Sequence, residues 1–283
     1  MGSRNGYASP EVLVSTDWAL EHRKDPGLRY VEVDVDTGEY DKGHIEGAIG
    51  WNWKTQLQDQ IRRDIPSQDQ IEKFLGESGI TPKTGIILYG DNNNWFAAYA
   101  FWLLKYYGHA DVRLIDGGRK KWIAERKPMS PEIPHYGREV YRVVVVQNDL
   151  RAHRDFVYAR LNDKAHGLVD VRSVDEYTGK ILAPPGIPEL SLRAGHIPGA
   201  KNIPWSQAVR EDGSFKSADE LRALYESKGV HPGLDEVTAY CRIGERSSHT
   251  WFVLKYLLGY PRVRNYDGSW TEWGNLINAP IEK

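Results

Sequence analysis

The chain has one cysteine and two methionines in 283 residues. A single thiol excludes an intramolecular disulfide and any multi-cysteine metal site, and it fits a reducing compartment. An excess of one charge is also missing: 37 Lys and Arg stand against 39 Asp and Glu, a formal net charge of -2. Nothing in that balance points to nucleic acid or an anionic membrane as a partner. Long apolar runs are absent too. The longest strongly apolar stretch, Trp95 to Leu104, has ten residues, too few to span a bilayer and suited to a buried helix. Met1 to Pro10 is polar and glycine-rich, without the apolar core of a signal peptide. The expectation is a soluble cytoplasmic protein with neither a membrane nor a nucleic-acid partner.

What is present is core material and a duplication. Ten tryptophans and 40% hydrophobic residues can build a large core, and the length exceeds one average domain. Sliding the chain along itself lays Gly85 to Trp122 over Glu236 to Trp273 without a gap, with nine of 38 pairs identical, among them Tyr89/Tyr240, Gly108/Gly259, Asp116/Asp267 and Trp122/Trp273. Earlier pieces repeat as well: Val33-Asp34-Val35 with Val169-Asp170-Val171, Glu39-Tyr40 with Glu176-Tyr177, and Gly43 to Ala48 with Gly195 to Ala200. So long a period makes each copy a domain and not a unit of a solenoid.

One copy reads as strand Tyr30 to Val35, helix Ser67 to Ser78, strand Gly85 to Tyr89, helix Trp95 to Tyr107, strand Val112 to Asp116 and a closing helix near Arg119. Strands alternating with helices predict an α/β fold of two tandem domains, each a parallel sheet with helices on both faces. The expected division is 1–130, a linker at 131–148 carrying Pro131 and Pro134, and 149–283. The second copy holds about 15 extra residues between Tyr177 and Gly195, including Ala183-Pro184-Pro185-Gly186-Ile187-Pro188, which reads as a loop near the catalytic side.

The duplication is an internal control: what both copies keep belongs first to the fold, and what only one has is a candidate for chemistry. Asp34/Asp170 and His44/His196 fall in the first class. The cysteine falls in the second. Cys241 lies in Tyr240-Cys241-Arg242-Ile243-Gly244-Glu245-Arg246-Ser247-Ser248-His249, between a predicted strand Glu236 to Tyr240 and a predicted helix Ser248 to Leu258, and the first copy has Gly90 at its place. A strand-to-helix turn can curl backbone N–H groups inward around an anion. Arg242 and Arg246 bring positive charge and Gly244 gives the backbone freedom; loop, helix end and cations together predict a thiol pKa below the free value of about 8.5. A core-packing role for the thiol fits poorly with its Arg, Arg and Glu flanks.

These motifs together resemble the tandem-domain rhodaneses, the thiosulfate sulfurtransferases, in which an inactive N-terminal rhodanese domain precedes one with the cysteine loop. Asp170-Val171-Arg172, the Gly195 to Ala200 turn, Cys241-Arg242-Ile243-Gly244 and Tyr266-Asp267-Gly268-Ser269-Trp270-Thr271-Glu272-Trp273 carry the resemblance, which covers nearly the whole chain. It implies that Cys241 takes the outer sulfur of thiosulfate, releases sulfite, and passes the sulfur from a persulfide to cyanide or a thiol, with no metal or organic cofactor needed. It implies substrate ligands at Arg242, Gly244, Arg246 and Ser247. For Arg172 a structural ion pair and a cleft-lining role stay open. A lysine that many thiosulfate enzymes carry is replaced by Ile243, and an arginine that binds substrate in some relatives falls near Glu176, so it is not carried over.

Other readings share the loop. Mercaptopyruvate sulfurtransferases usually begin theirs Cys-Gly-Ser/Thr-Gly, and Arg242 argues against that choice. A persulfide carrier that delivers sulfur to a protein acceptor would look the same in sequence. Cysteine phosphatases place an arginine six residues after the cysteine, where this chain has Ser247 and Arg246 comes one residue early. A thiol protease would need a histidine paired with Cys241, and His249 is read first as a packing or capping residue of the following helix.

Overall fold

The computed structural model of the protein describes residues 5–186 and 191–283. Ile187 and Pro188 of the proline-bearing insert lie outside the described residues. The chain forms two compact units: Pro10–Gln147 with Arg210–Phe215, and Met1–Ser9 with Asn148–Val209 and Lys216–Lys283. Each is built on one parallel sheet.

In the first unit the strands are β1 (Leu13–Val14), β2 (Leu28–Asp34), β3 (Ile49–Asn52), β4 (Gly85–Tyr89) and β5 (Val112–Ile115), in the spatial order β1-β5-β4-β2-β3. In the second they are β6 (His166–Asp170), β7 (Lys201–Asn202), β8 (Glu236–Tyr240) and β9 (Val263–Tyr266), in the order β7-β6-β8-β9. Every strand pair is parallel. Strand β8, which leads into the cysteine, is central, between β6 and β9, which puts the loop after it at the carboxyl end of the sheet, where open α/β sheets bind ligands.

Sequence patterning finds the long elements and misses the short edges. The helices Gln68–Glu77 and Trp95–Tyr106 and the strands β4 and β8 lie where periodicity puts them. The edge strands β1, β3 and β7 have two to four residues, too short for an alternation to register. Where the first sheet has β1, the second has a single parallel bridge between Arg151 and Asn265. Ser67, Ser173 and Ser217 each open a helix with a capping box, closed by Gln70, Glu176 and Glu220.

Residues kept by both copies do the same mechanical work twice. The Tyr89 hydroxyl accepts from the Ile45 N–H at 3.0 Å and the Tyr240 hydroxyl from the Ile197 N–H at 3.1 Å. His44 stacks on Tyr40 and His196 on Tyr177, with ring centroids 4.0 and 3.6 Å apart. The indole N–H groups of Trp122 and Trp273 donate to the carbonyls of Pro128 and Pro280. The two histidines are therefore fold residues: each joins its ring to a carbonyl, that of Tyr40 or Tyr177, and pins a tight turn.

The stretch between the proline-rich boundary and β6 is tied to the first unit up to Gln147. The Glu139 N–H donates to the Gly76 carbonyl at 2.9 Å, and the Gln147 N–H to that of Tyr106 at 2.7 Å. A Cβ on Gly76 would lie 2.5 Å from the Glu139 carbonyl oxygen, so glycine is what lets the strap lie against that helix.

Candidate active site

Strand β8 ends at Tyr240 and the helix Glu245–Phe252 begins directly after Gly244. That start is three residues earlier than the pattern predicts. Gly244 has φ +98°, a conformation open to glycine, and it lets four residues turn the chain from strand to helix. The helix then continues as a π turn over Val253–Leu257. Cys241 is fully buried at the start of this turn. The Gly244 N–H donates to Sγ at 3.1 Å, and the Ser247 hydroxyl lies 3.6 Å from it.

The frame around the loop comes from two elements, β9 and the helix Ser269–Trp273. The Ser269 hydroxyl accepts from the Cys241 N–H at 3.1 Å and donates to the Tyr266 carbonyl. Asn265 on β9 accepts from the Ser247 hydroxyl at 2.6 Å and donates to the Gly244 carbonyl at 3.2 Å and to the Ser248 hydroxyl at 2.9 Å. The Arg242 carbonyl accepts from both the N–H and the hydroxyl of Thr271. The contacts of Ser269 and Asn265 are buried, and such a contact is worth about 1 kcal/mol when made and more when broken.

The charges are arranged differently from the sequence expectation. Arg246 does not face the thiol as a free cation; its guanidinium forms a two-pronged pair with Glu176 at 3.0 and 3.1 Å and lies 3.6 Å from Glu245. Burial opposes the charge of Arg246, and Glu176 outweighs it, so the pKa is raised; the Glu176 carboxyl is correspondingly held below its ordinary range against its own burial. Glu245 is 2% exposed and its carboxylate accepts from the Cys241 thiol at 3.4 Å.

The expectation of a lowered thiol pKa is therefore reversed in this state. Burial pushes Cys241 up, the Glu245 carboxylate adds to it, and Arg246 and Ser247 pull the other way without prevailing. Adding up the arginines of the loop overlooks the two buried carboxylates among them.

Of the predicted site residues, Cys241, Gly244 and Ser247 meet at the sulfur, and Arg246 stands behind Glu245. Arg172 takes the ion-pair alternative: its guanidinium binds Asp170 at 2.6 to 3.1 Å, donates to the Gly195 carbonyl at 2.7 Å, and lies 4.5 Å over the Trp270 ring. His249 is buried, packs edge-on against Trp205, and is pushed down to about 3 by burial, which makes it a neutral packing group. Glu245, Asn265 and Ser269 are neighbours of the thiol and its loop that sequence reasoning missed. The signal was available, since the first copy has Asn94, Leu114 and Gly118 at these places.

The first unit closes the corresponding turn without a thiol. A Cβ on Gly90 would lie 2.4 Å from the Val33 carbonyl oxygen. Asn94 fills the turn, its side chain accepting from the Gly90 N–H and donating to the Ile115 carbonyl. Among the described residues no group of three His, Cys, Asp or Glu side chains is placed to hold a metal ion, and no helix is long and apolar enough to cross a membrane.

Two parallel-sheet α/β units, alike in frame, with a cysteine cradle in the second alone, define a tandem-repeat protein with one thiol centre. The model of the rhodanese-like domain matches residues 15–125 and 153–276, and the chain belongs to the rhodanese family as a tandem two-domain member. It is 55% identical over 282 residues to the "Sulfur carrier protein TtuD" of Thermus thermophilus, covering 98% of this chain and 99% of that one. It is 57% identical over 276 residues to a "Putative thiosulfate sulfurtransferase" of Mycolicibacterium smegmatis, covering 97% and 99%. The solved structure of SseA from Escherichia coli, a 3-mercaptopyruvate sulfotransferase, shares the fold with a TM-score of 0.80 at 24% identity, covering 92% of this chain and 98% of that one.

Proposed function

We propose that the protein is a sulfurtransferase that takes the sulfane sulfur of thiosulfate onto Cys241 as a persulfide, releases sulfite, and passes the sulfur to cyanide or a thiol. The observation that carries this reading is the Cys241 cradle, with the Gly244 N–H on the sulfur at 3.1 Å and Ser247 beside it. A donor aimed at Sγ stabilises a thiolate or a persulfide anion as the charge forms. Arg242, Gly244, Arg246 and Ser247 are proposed as the residues that receive the sulfonate, and Arg172 as the group that fixes β6 and the Gly195 turn behind them. The relative named "Putative thiosulfate sulfurtransferase" matches nearly end to end, which supports the choice of donor.

A second reading keeps the same persulfide and changes its destination. The relative named as a sulfur carrier protein is alike over the same extent, and it favours delivery to a protein acceptor. Intact-mass measurement after thiosulfate treatment tests both. The expected result is one added sulfur atom on the Cys241 peptide, removed by cyanide, and none on a Cys241→Ser variant that keeps its thermal unfolding profile. Absence of added sulfur on the wild-type protein rejects the donor. Loading from thiosulfate with transfer only to a protein acceptor selects the carrier.

A further inference from the structure

The carboxylate of Glu245 is the feature that a thiosulfate site has least use for. It lies 3.4 Å from the Cys241 sulfur in a place without solvent, and a buried anion there repels an arriving dianion. The groups around the thiol do not neutralise it simply. Arg246 faces it at 3.6 Å but is committed to Glu176 on the short helix Val174–Tyr177. Asp267, against Gly244, is committed to Arg151 at 2.8 Å. Arg172, on the strand-end loop, is committed to Asp170. Arg242 is a further charge of the loop. The contacts from β9 and from the turn at Ser269 are neutral hydroxyl and amide groups. The first copy has Asn94 in place of Glu245, with its amide turned into the loop backbone, so the fold does not require a carboxylate there.

We propose that Glu245 is a catalytic proton carrier at Cys241, taking the proton of the thiol before loading and that of the acceptor before unloading. The proposal rests on the persulfide reading. In the loading half, the thiol proton moves to the Glu245 carboxylate and the freed electron pair of Sγ attacks the outer sulfur of thiosulfate. The S–S bond of the donor breaks, its electron pair leaves on sulfite, and the proton departs with sulfite, so that Glu245 is charged again beside a persulfide anion. In the unloading half, Glu245 takes the proton of the acceptor thiol. The acceptor thiolate attacks the outer sulfur, the Cys241 S–S bond breaks with its pair returning to Sγ, and Glu245 returns the proton there. The product is the acceptor persulfide anion and the starting thiol. Hydrogen cyanide, the form that cyanide takes near neutral pH, hands its proton to the same carboxylate and leaves as thiocyanate.

The test compares the wild-type protein with Glu245→Gln and Glu245→Asp in sulfur transfer from thiosulfate to a small thiol and to cyanide. For Glu245→Gln both rates are expected to fall about 100-fold near neutral pH, because the loading half is common to both acceptors, and Glu245→Asp is expected to restore both in part. Unchanged rates in Glu245→Gln overturn the proposal. A second readout needs no sulfur transfer: the pH dependence of Cys241 alkylation by iodoacetamide, read by mass. Its inflection is expected to move to lower pH in Glu245→Gln, because burial and the carboxylate together hold the thiol up in the wild type. An unmoved inflection overturns the proposal whether or not thiosulfate loads the protein, whereas failure of loading with a moved inflection rejects the donor alone.

Discussion

At the scale of single residues, the lesson of this site is that a cation in a sequence is not yet a field at an atom. Arg246 is spoken for by Glu176, and Glu176 is spoken for twice: it closes the capping box with Ser173 and grips Arg246 with both oxygens. Its counterpart Glu39 in the first copy is a surface residue paired with Lys42, so the repeat alone reads the position as fold. Replacing one partner of a buried pair strands the other. Glu176→Gln is expected to lower stability by about 3 kcal/mol near neutral pH, measured by urea unfolding. The sign with pH follows from the depressed carboxyl. A group held below its unfolded value contributes fully above that value, and the contribution disappears as pH falls through the folded one. The gap between wild type and variant should therefore close toward acid and stay open toward alkali.

At the scale of the element, strand, turn and helix form one device, and Gly244 is its hinge point. The strand was legible from Val237, Thr238 and Tyr240, and the glycine from its place after the cysteine. The helix start was not. Glu245 to Ser247 are polar, and an apolar period cannot begin where the first turn is built to face a site. That same turn brings the Gly244 N–H, the Ser247 hydroxyl and the Glu245 carboxylate to the sulfur. A methyl group on Gly244 would lie 2.8 Å from the Cβ and 2.9 Å from the Cα of Asp267, and Asp267 is held by Arg151 and cannot retreat freely. With the positive φ added, Gly244→Ala is expected to cost about 1–3 kcal/mol. Because the N–H on the sulfur belongs to this residue, the variant should also lose sulfur loading. Thermal unfolding and persulfide mass on the same sample measure the two effects, and an intact loading rate in a destabilised protein would detach the N–H from the chemistry.

At the scale of the whole molecule, duplication made the fold legible, because tyrosines, histidines and tryptophans kept in both copies make the same bonds in both units. It made the site legible only where one copy is blank. Gly90 exposed Cys241 at once, whereas Leu114 against Asn265 and Gly118 against Ser269 are quieter contrasts that gain meaning when the contacts are known. The copies also diverge around their shared aspartate. Asp170 has Arg172 as partner, while two residues after Asp34 the first copy has Asp36. The buried cation that acts on Asp34, Arg119, is bound to Glu32 at 2.7 Å. Burial therefore raises Asp34 to about 8, with Asp91 and Glu32 adding to it, and raises Glu32 to about 7. Carboxyls held above their unfolded values contribute stability that is complete below those values and is lost as pH rises through the folded ones. The first unit should weaken between about pH 4 and pH 8, at up to about 1.4 kcal/mol per pH unit for each group that titrates. An asparagine at position 34 keeps the acceptor for the Asp91 N–H, which Asp34 now receives at 2.8 Å, and carries no charge to bury. Asp34→Asn is thus expected to flatten the fall of the unfolding temperature across that window and to be the more stable protein at its alkaline end. Parallel curves for the two proteins would mean that Asp34 ionises in the folded unit as readily as in the unfolded chain.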